Sequence, residues 1–168
     1  MHYLTIVLRL LHVVAGAFWF GTSMMVTFMI TPAIAVTGEA GQKFMAALVQ
    51  KANLTKRIAA AGGLTVLAGL GLYWIDSSSF TSAWAKSGVG MMFGIGGFFG
   101  LIGLVLGIVV GRDVNTIVKT GSEIQGKPTA EQLSKIQAAQ KRLSMVGPIS
   151  SYALIIAMIC MSVARYWF

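Results

Sequence analysis

Acidic side chains are scarce in this sequence. It holds five Asp and Glu against thirteen Lys and Arg in 168 residues, and charged residues make up only 11% of the chain. A water-soluble domain carries about 25%. The charge is too sparse to cover a water-facing surface, so an integral membrane protein is expected. Cysteine occurs once, at Cys160 inside an apolar run, which excludes an intrachain disulfide and a CxxC metal site. No carboxylate falls inside an apolar run: Asp76, Asp113, Glu39, Glu123 and Glu131 lie at ends or in loops, so paired-carboxylate chemistry is excluded. Ser150 and Ser151 have no histidine at matching depth, which removes a serine hydrolase. The glycine-rich run at 94–111 lacks the lysine and the strand context of a phosphate-binding loop.

What is present is apolar: 56% hydrophobic residues and a mean hydropathy of +0.77. A span takes roughly 20 residues, so the length fits a single domain, 1–168, of four spans with short loops. The spans are expected at about 4–31, 58–75, 89–110 and 149–164. The first run has no charged leader and no small-residue cleavage signal, and reads as a retained span. Pro32 should stop or bend it. Residues 36–41 are turn-like, and Gln42–Arg57 keeps helical spacing through Phe44, Met45, Leu48, Val49 and Ala52. Thr129 and Gln132 have capping-box spacing, predicting a helix from Ala130, with a kink at Gly147-Pro148 where it enters the bilayer. The fold class is all-α: an integral membrane antiparallel four-helix bundle with cytoplasmic helical extensions.

The net charge of +8 does not point to nucleic acid. Of the thirteen basic residues, four lie between spans one and two and six between 112 and 142, all on one side of such a bundle. The excess of basic loops on the cytoplasmic side then puts both termini outside. Tyr3, Tyr73, Trp74, Trp84, Tyr166 and Trp167 fall at the opposite, outer interface, where amphipathic rings prefer to sit. The two basic segments either set orientation alone or also bind anionic lipid or a partner protein.

Gly96, Gly100, Gly103, Gly107 and Gly111 recur at steps of four and three on one face of span three. Such a face admits another helix closely. Which helix, or whether a second copy, is not specified by the sequence; a ligand path or hinge is the alternative.

Span one carries a polar stripe. Thr5, Arg9, His12, Gly16, Trp19 and Ser23 alternate at four and three residues and share one helix face. His12 lies roughly 13 Å inside the outer end at 1.5 Å per residue. Ionisable groups at such depth are costly and mark functional sites by default. Several readings stand side by side. His12 stays neutral and bonds a backbone carbonyl or a serine, with Arg9 on lipid phosphates; or His12 binds haem iron or copper; or the stripe contacts another subunit. His2 lies about 15 Å away along the axis and off the face, so the two histidines cannot share one metal. A second haem ligand would be Met, or come from another copy, or be absent. Copper would use His12 with Met158 and Met161, soft thioethers in the same outer half; methionine is also an ordinary gap filler.

The runs Arg9-Leu10-Leu11-His12, Phe18-Trp19-Phe20-Gly21 and Thr31-Pro32-Ala33, with Lys141-Arg142-Leu143 and Ala164-Arg165-Tyr166, resemble the CopD-like superfamily of small bacterial membrane proteins. That group includes copper-resistance proteins and HemJ-type protoporphyrinogen oxidases. The resemblance implies a four-helix bundle in a bacterial inner membrane and, for HemJ-type members, haem b on a first-helix histidine, here His12. The charged groups that such members carry in later helices have no counterpart inside spans two to four. The expected site is therefore haem b in redox or electron-transfer chemistry, with Arg9 on a propionate, Trp19 as a wall and Gly16 letting the ring approach. The rival is a cofactor-free structural or accessory subunit of a larger membrane complex, or a homo-oligomer; copper handling is the third.

Overall fold

The computed structural model describes residues 2–167. It is helical throughout, with no strand among the described residues. The six α-helices are α1 (His2–Met25), α2 (Thr31–Thr37), α3 (Glu39–Gln50), α4 (Leu54–Asp76), α5 (Gly88–Ser122) and α6 (Ala130–Val163). Four stretches are long and apolar enough to cross a membrane: His2–Thr37, Leu54–Asp76, Gly88–Ser122 and Ala130–Tyr166.

Pro32 does not stop the first helix. The chain passes from α1 to α2 through one π turn, Val26–Ile30. Proline cannot donate a hydrogen bond, and its ring crowds the carbonyl four residues back. In the wider turn, Thr31 N–H reaches back five residues to the Val26 carbonyl, and Thr31 Oγ1 donates to the same oxygen at 2.8 Å. The ladder is thereby shifted so that the missing donor falls in the first turn of α2, where it is tolerated. The turn expected over 36–41 shrinks to Gly38, whose φ of +57° suits glycine. The helix expected over 42–57 divides: α3 ends at Gln50, and after a short turn the left-handed Asn53 (φ +52°) leads directly into α4.

α5 and α6 outrun the apolar stretches read as spans. α5 starts at Ser87, whose hydroxyl accepts from Gly90 N–H at 3.2 Å. Its 35 residues measure roughly 50 Å, against about 30 Å for a bilayer core. The overhang carries Arg112, Asp113 and Lys119. α6 starts at the expected capping box, with Gln132 N–H donating to Thr129 Oγ1 at 3.2 Å and Thr129 N–H to Gln132 Oε1 at 3.0 Å. It then runs unbroken through Gly147-Pro148.

Successive long helices meet in opposite chain order. Leu8, His12 and Trp19 of α1 lie against Gly71, Gly69 and Gly62 of α4. Tyr73, Gly62 and Thr55 of α4 lie against Gly94, Leu104 and Gly111 of α5. Met161, Leu154 and Ser150 of α6 lie against Gly96, Gly103 and Gly107 of α5. α1 and α6 touch near the π turn, where Phe28 meets Tyr152 edge to face and Ser151 Oγ donates to Thr27 Oγ1 at 3.0 Å. α3 packs on the overhang of α5 through Val49, Val114 and Val118, with Met45 and Leu143 beside them.

Candidate functional site

Three members of the polar stripe of α1, His12, Gly16 and Trp19, face α4. His12 is half-buried, and its Nδ1–H donates to the Thr65 carbonyl at 2.8 Å. That carbonyl is open to the ring because the residue four further on is Gly69. A Cβ there would stand 2.8 Å from His12 Cε1 and 2.9 Å from Nδ1. Thr65 is buried and satisfies its own hydroxyl by donating to the Ala61 carbonyl at 2.7 Å. Gly16 is also spoken for: a Cβ on it would lie 3.3 Å from Thr65 Cγ2. Trp19 is the buried side chain of α1, laid on Gly62, where a Cβ would come within 2.9 Å of the indole. Gly62, Thr65 and Gly69 alternate at three and four residues. The signal was in the sequence, on the helix opposite the one that drew attention.

Arg9 is exposed and forms no ion pair among the described residues. Of the methionines considered with His12, Met161 packs over Gly96 of α5 and Met158 is exposed. The contacts of His12 are with α4 and those of Met161 with α5. Among the described residues there is no group of three or more His, Cys, Asp and Glu able to hold a metal.

The glycines of α5 meet α6, which settles their partner. A Cβ at Gly103 would come within 2.5 Å of Leu154, and one at Gly96 would come 2.9 Å from Met161 and 3.3 Å from the Ala157 carbonyl. Gly107 looks toward Ser150, and Gly111 lies at the limit of contact with Thr55 of α4. Gly100 is buried with no neighbour within contact distance of a Cβ.

Two features were not read from the sequence. Asp113 is 1% exposed and is gripped by Arg142 of α6. Nε donates to Oδ2 at 2.8 Å and Nη2 to Oδ1 at 2.6 Å. This fork matches carboxylate geometry. Asp113 had been taken only as the end of a span, and its partner lies 29 residues on.

The second feature is a cavity of about 250 Å³ where the four long helices converge beside the π turn. Trp19, Ser23 and Thr27 line it from α1, Leu104 and Gly107 from α5, Ser150 and Ser151 from α6. Its rim between α4 and α5 carries Lys56, Arg112 and Asn115. Both α6 serines inside are already engaged: Ser150 Oγ donates to the Gly103 carbonyl at 3.1 Å, and Ser151 Oγ to Thr27 Oγ1. A second, shallower groove between α1 and α4 is apolar, lined by Leu10, Val14, Phe18 and Leu64 among others. His12 lines neither.

Comparison of the chain with protein-family models, curated proteins and solved structures finds no match.

Proposed function

We propose that the chain is a structural or accessory subunit of a larger complex in a bacterial inner membrane, without a redox centre of its own. In this reading it is an antiparallel four-helix bundle with both termini outside. Four apolar helices and the one-sided clustering of basic residues support the placement. One observation carries the functional reading: the stripe that was the candidate site is filled by α4. The space beside Gly16 holds Thr65, the indole of Trp19 rests on Gly62, and the imidazole is bonded to a carbonyl. A haem slotted against Gly16 and walled by Trp19 does not fit this arrangement.

The outward side of α1 supports a partner. Leu10, Val13 and Val14 are exposed there, and so is the Arg9 guanidinium, roughly 10 Å from the start of the helix. A charge at that depth is favourable where a neighbouring subunit or a headgroup supplies an anion. A second copy of the chain and a different subunit both meet the requirement, and mass separates them.

One observation favours haem b as a second reading, and the HemJ-like resemblance implies the same group. With Nδ1 fixed on Thr65, His12 Nε2 makes no hydrogen bond among the described residues. It would be the ligating atom for a haem lying outside the seam. The deciding test is native mass spectrometry of the chain extracted in mild detergent, with absorption spectra before and after dithionite. The subunit reading expects a colourless assembly heavier than one chain that falls apart in Arg9→Gln. A Soret band lost in His12→Ala overturns it in favour of haem.

A further inference from the structure

We propose that the cavity between the four helices binds an anionic phospholipid, with the phosphate held by Lys56 and Arg112 and part of one acyl chain inside. The inference rests on the membrane reading above and adds a ligand to a region which that reading leaves unused.

Three observations lead to this ligand. The first is the shape of the opening. Lys56, Ala59, Ile108, Arg112 and Asn115 line the cavity and are exposed, so its mouth is the gap between α4 and α5, directed sideways rather than along the helix axes. A molecule already lying in the bilayer reaches such a mouth directly.

The second is charge. Neither Lys56 nor Arg112 forms an ion pair among the described residues. The carboxylate next in sequence to Arg112 is Asp113, which is turned away and occupied by Arg142. Two cations therefore share the rim with no anion of the chain beside them. Basic pockets between membrane helices on the cytoplasmic side suit lipid phosphates. The amide of Asn115, which accepts from Thr55 Oγ1 at 3.2 Å through Oδ1, keeps its NH₂ donors for the same headgroup.

The third is the interior. Ser150, Ser151, Thr27 and Thr55 are hydrogen-bonded within the protein and Ser23 adds one further hydroxyl, so the walls offered to a guest are mainly those of Trp19, Ile58 and Leu104. Drug-sized ligands take pockets of roughly 300–1,000 Å³. At about 250 Å³ the space suits a length of hydrocarbon. A soluble anion would use only the rim and leave the interior empty, which favours an amphiphile.

Trp19 gives the test its probe, because it lines the cavity and is shielded from surrounding lipid. The chain is made with Trp74→Phe, Trp84→Phe and Trp167→Phe and placed in lipid nanodiscs. Phosphatidylglycerol or phosphatidylcholine carrying bromine on one acyl chain is titrated in, and Trp19 fluorescence is read. The expected result is stronger quenching by the brominated anionic lipid at equal mole fraction. Lys56→Gln with Arg112→Gln should weaken that preference by about tenfold. Ala59→Phe, at an exposed position in the mouth, should abolish the quenching with both charges intact, and inorganic phosphate should not reverse it. Equal quenching by the two lipids, or quenching indifferent to both sets of variants, overturns the proposal. Failure of the chain to enter nanodiscs overturns the membrane reading instead, and the lipid site with it.

Discussion

Along α1–α4 the bulk comes mostly from α1 and the room from α4: Leu8, His12 and Trp19 press onto Gly71, Gly69 and Gly62, with Gly16 beside Thr65 as the reverse case. Along α5–α6 the roles are kept, with Met161 and Leu154 pressing onto Gly96 and Gly103, but the polar fastening differs. The first seam is closed by a neutral hydrogen bond at its middle, from His12 to Thr65. The second also has a neutral bond, from Ser150 to the Gly103 carbonyl, and adds a charged fork nearer its loop, Arg142 on Asp113, outside the most apolar stretch. Their consequences for burial differ too: Trp19 alone is buried on α1, whereas eight residues are buried on α6. In lipid, apolar surface drives little association, and close approach with a few polar contacts does more. The comparison shows two ways to meet that requirement. A charge pair is placed where water can reach the exposed guanidinium. A neutral imidazole is used where it cannot be spared a partner.

The contrast can be broken first at the fork. Arg142→Met leaves the Asp113 carboxylate buried without its partner and should give the largest loss of stability of the series. Adding Asp113→Asn should recover most of the loss, and thermal unfolding of the single and double variants in detergent measures both. At the other seam, Gly62→Val drives a side chain into the rigid indole of Trp19 and the Leu104 methyl, and should cost about 2 kcal/mol. A smaller loss than this would mean that α1 can swing away from α4. Gly69→Ala sets a methyl against the His12 ring and pushes it off the Thr65 carbonyl, so about 1 kcal/mol should go with the hydrogen bond. In the same variant, the imidazole proton resonance assigned to Nδ1–H should move toward the unbonded position.

The smallest effect lies outside both seams, on α3, and supplies a baseline. Lys43 bonds Glu39 at 2.7 Å, and this hydrogen bond, with the ammonium charge, holds the Glu39 carboxyl below its ordinary value. The same pair raises Lys43. The carboxylate's contribution to α3 is therefore complete above the ordinary glutamate range and is lost as pH falls through the lowered value. The lysine's contribution is complete below the ordinary lysine range and is lost as pH rises through the raised value. Both groups are exposed, so helicity followed by circular dichroism should change slightly at the two extremes and not between them.

Much of this was legible in the residues. Apolar runs located the four long helices, since a run of that length has few other uses, and the spacing of Thr129 and Gln132 fixed the start of α6. The glycine face of α5 was visible as a period, but its partner was not, because a period says which side is smooth and not what lies on it. The stripe of α1 was legible in part for the same reason. A bond from His12 to a backbone carbonyl was among its readings, but that the carbonyl belongs to Thr65, with Gly69 making room for the ring, depends on how two helices slide together. Asp113 went unread because charge at the end of an apolar run has an easy explanation, and the fork spans a loop and two helix ends. The π turn was hidden because Pro32 signals a break, and its accommodation depends on which carbonyl each nearby N–H selects. The cavity has no residue of its own and could not be read at all.

The order in which the helices touch carries a consequence for how the molecule comes to exist. Each of the two closest seams joins successive long helices, α1 with α4 across the short α2 and α3, and α5 with α6, so the protein is two helical hairpins in series, each with its fastening inside itself. They are linked covalently by the stretch 77–87, which starts at the buried Ser77 and includes three successive residues with positive φ, Ser78, Ser79 and Phe80. The α1–α4 seam draws on no residue of the second hairpin, whereas Val49 of α3 is covered only once Val114 and Val118 of α5 arrive. The Arg142–Asp113 fork then closes the second at the end where its connecting loop emerges. A chain organised this way is assembled in two strokes, and a cut within 77–87 would leave two pieces with their own contacts whole, able to find each other again along α4 and α5.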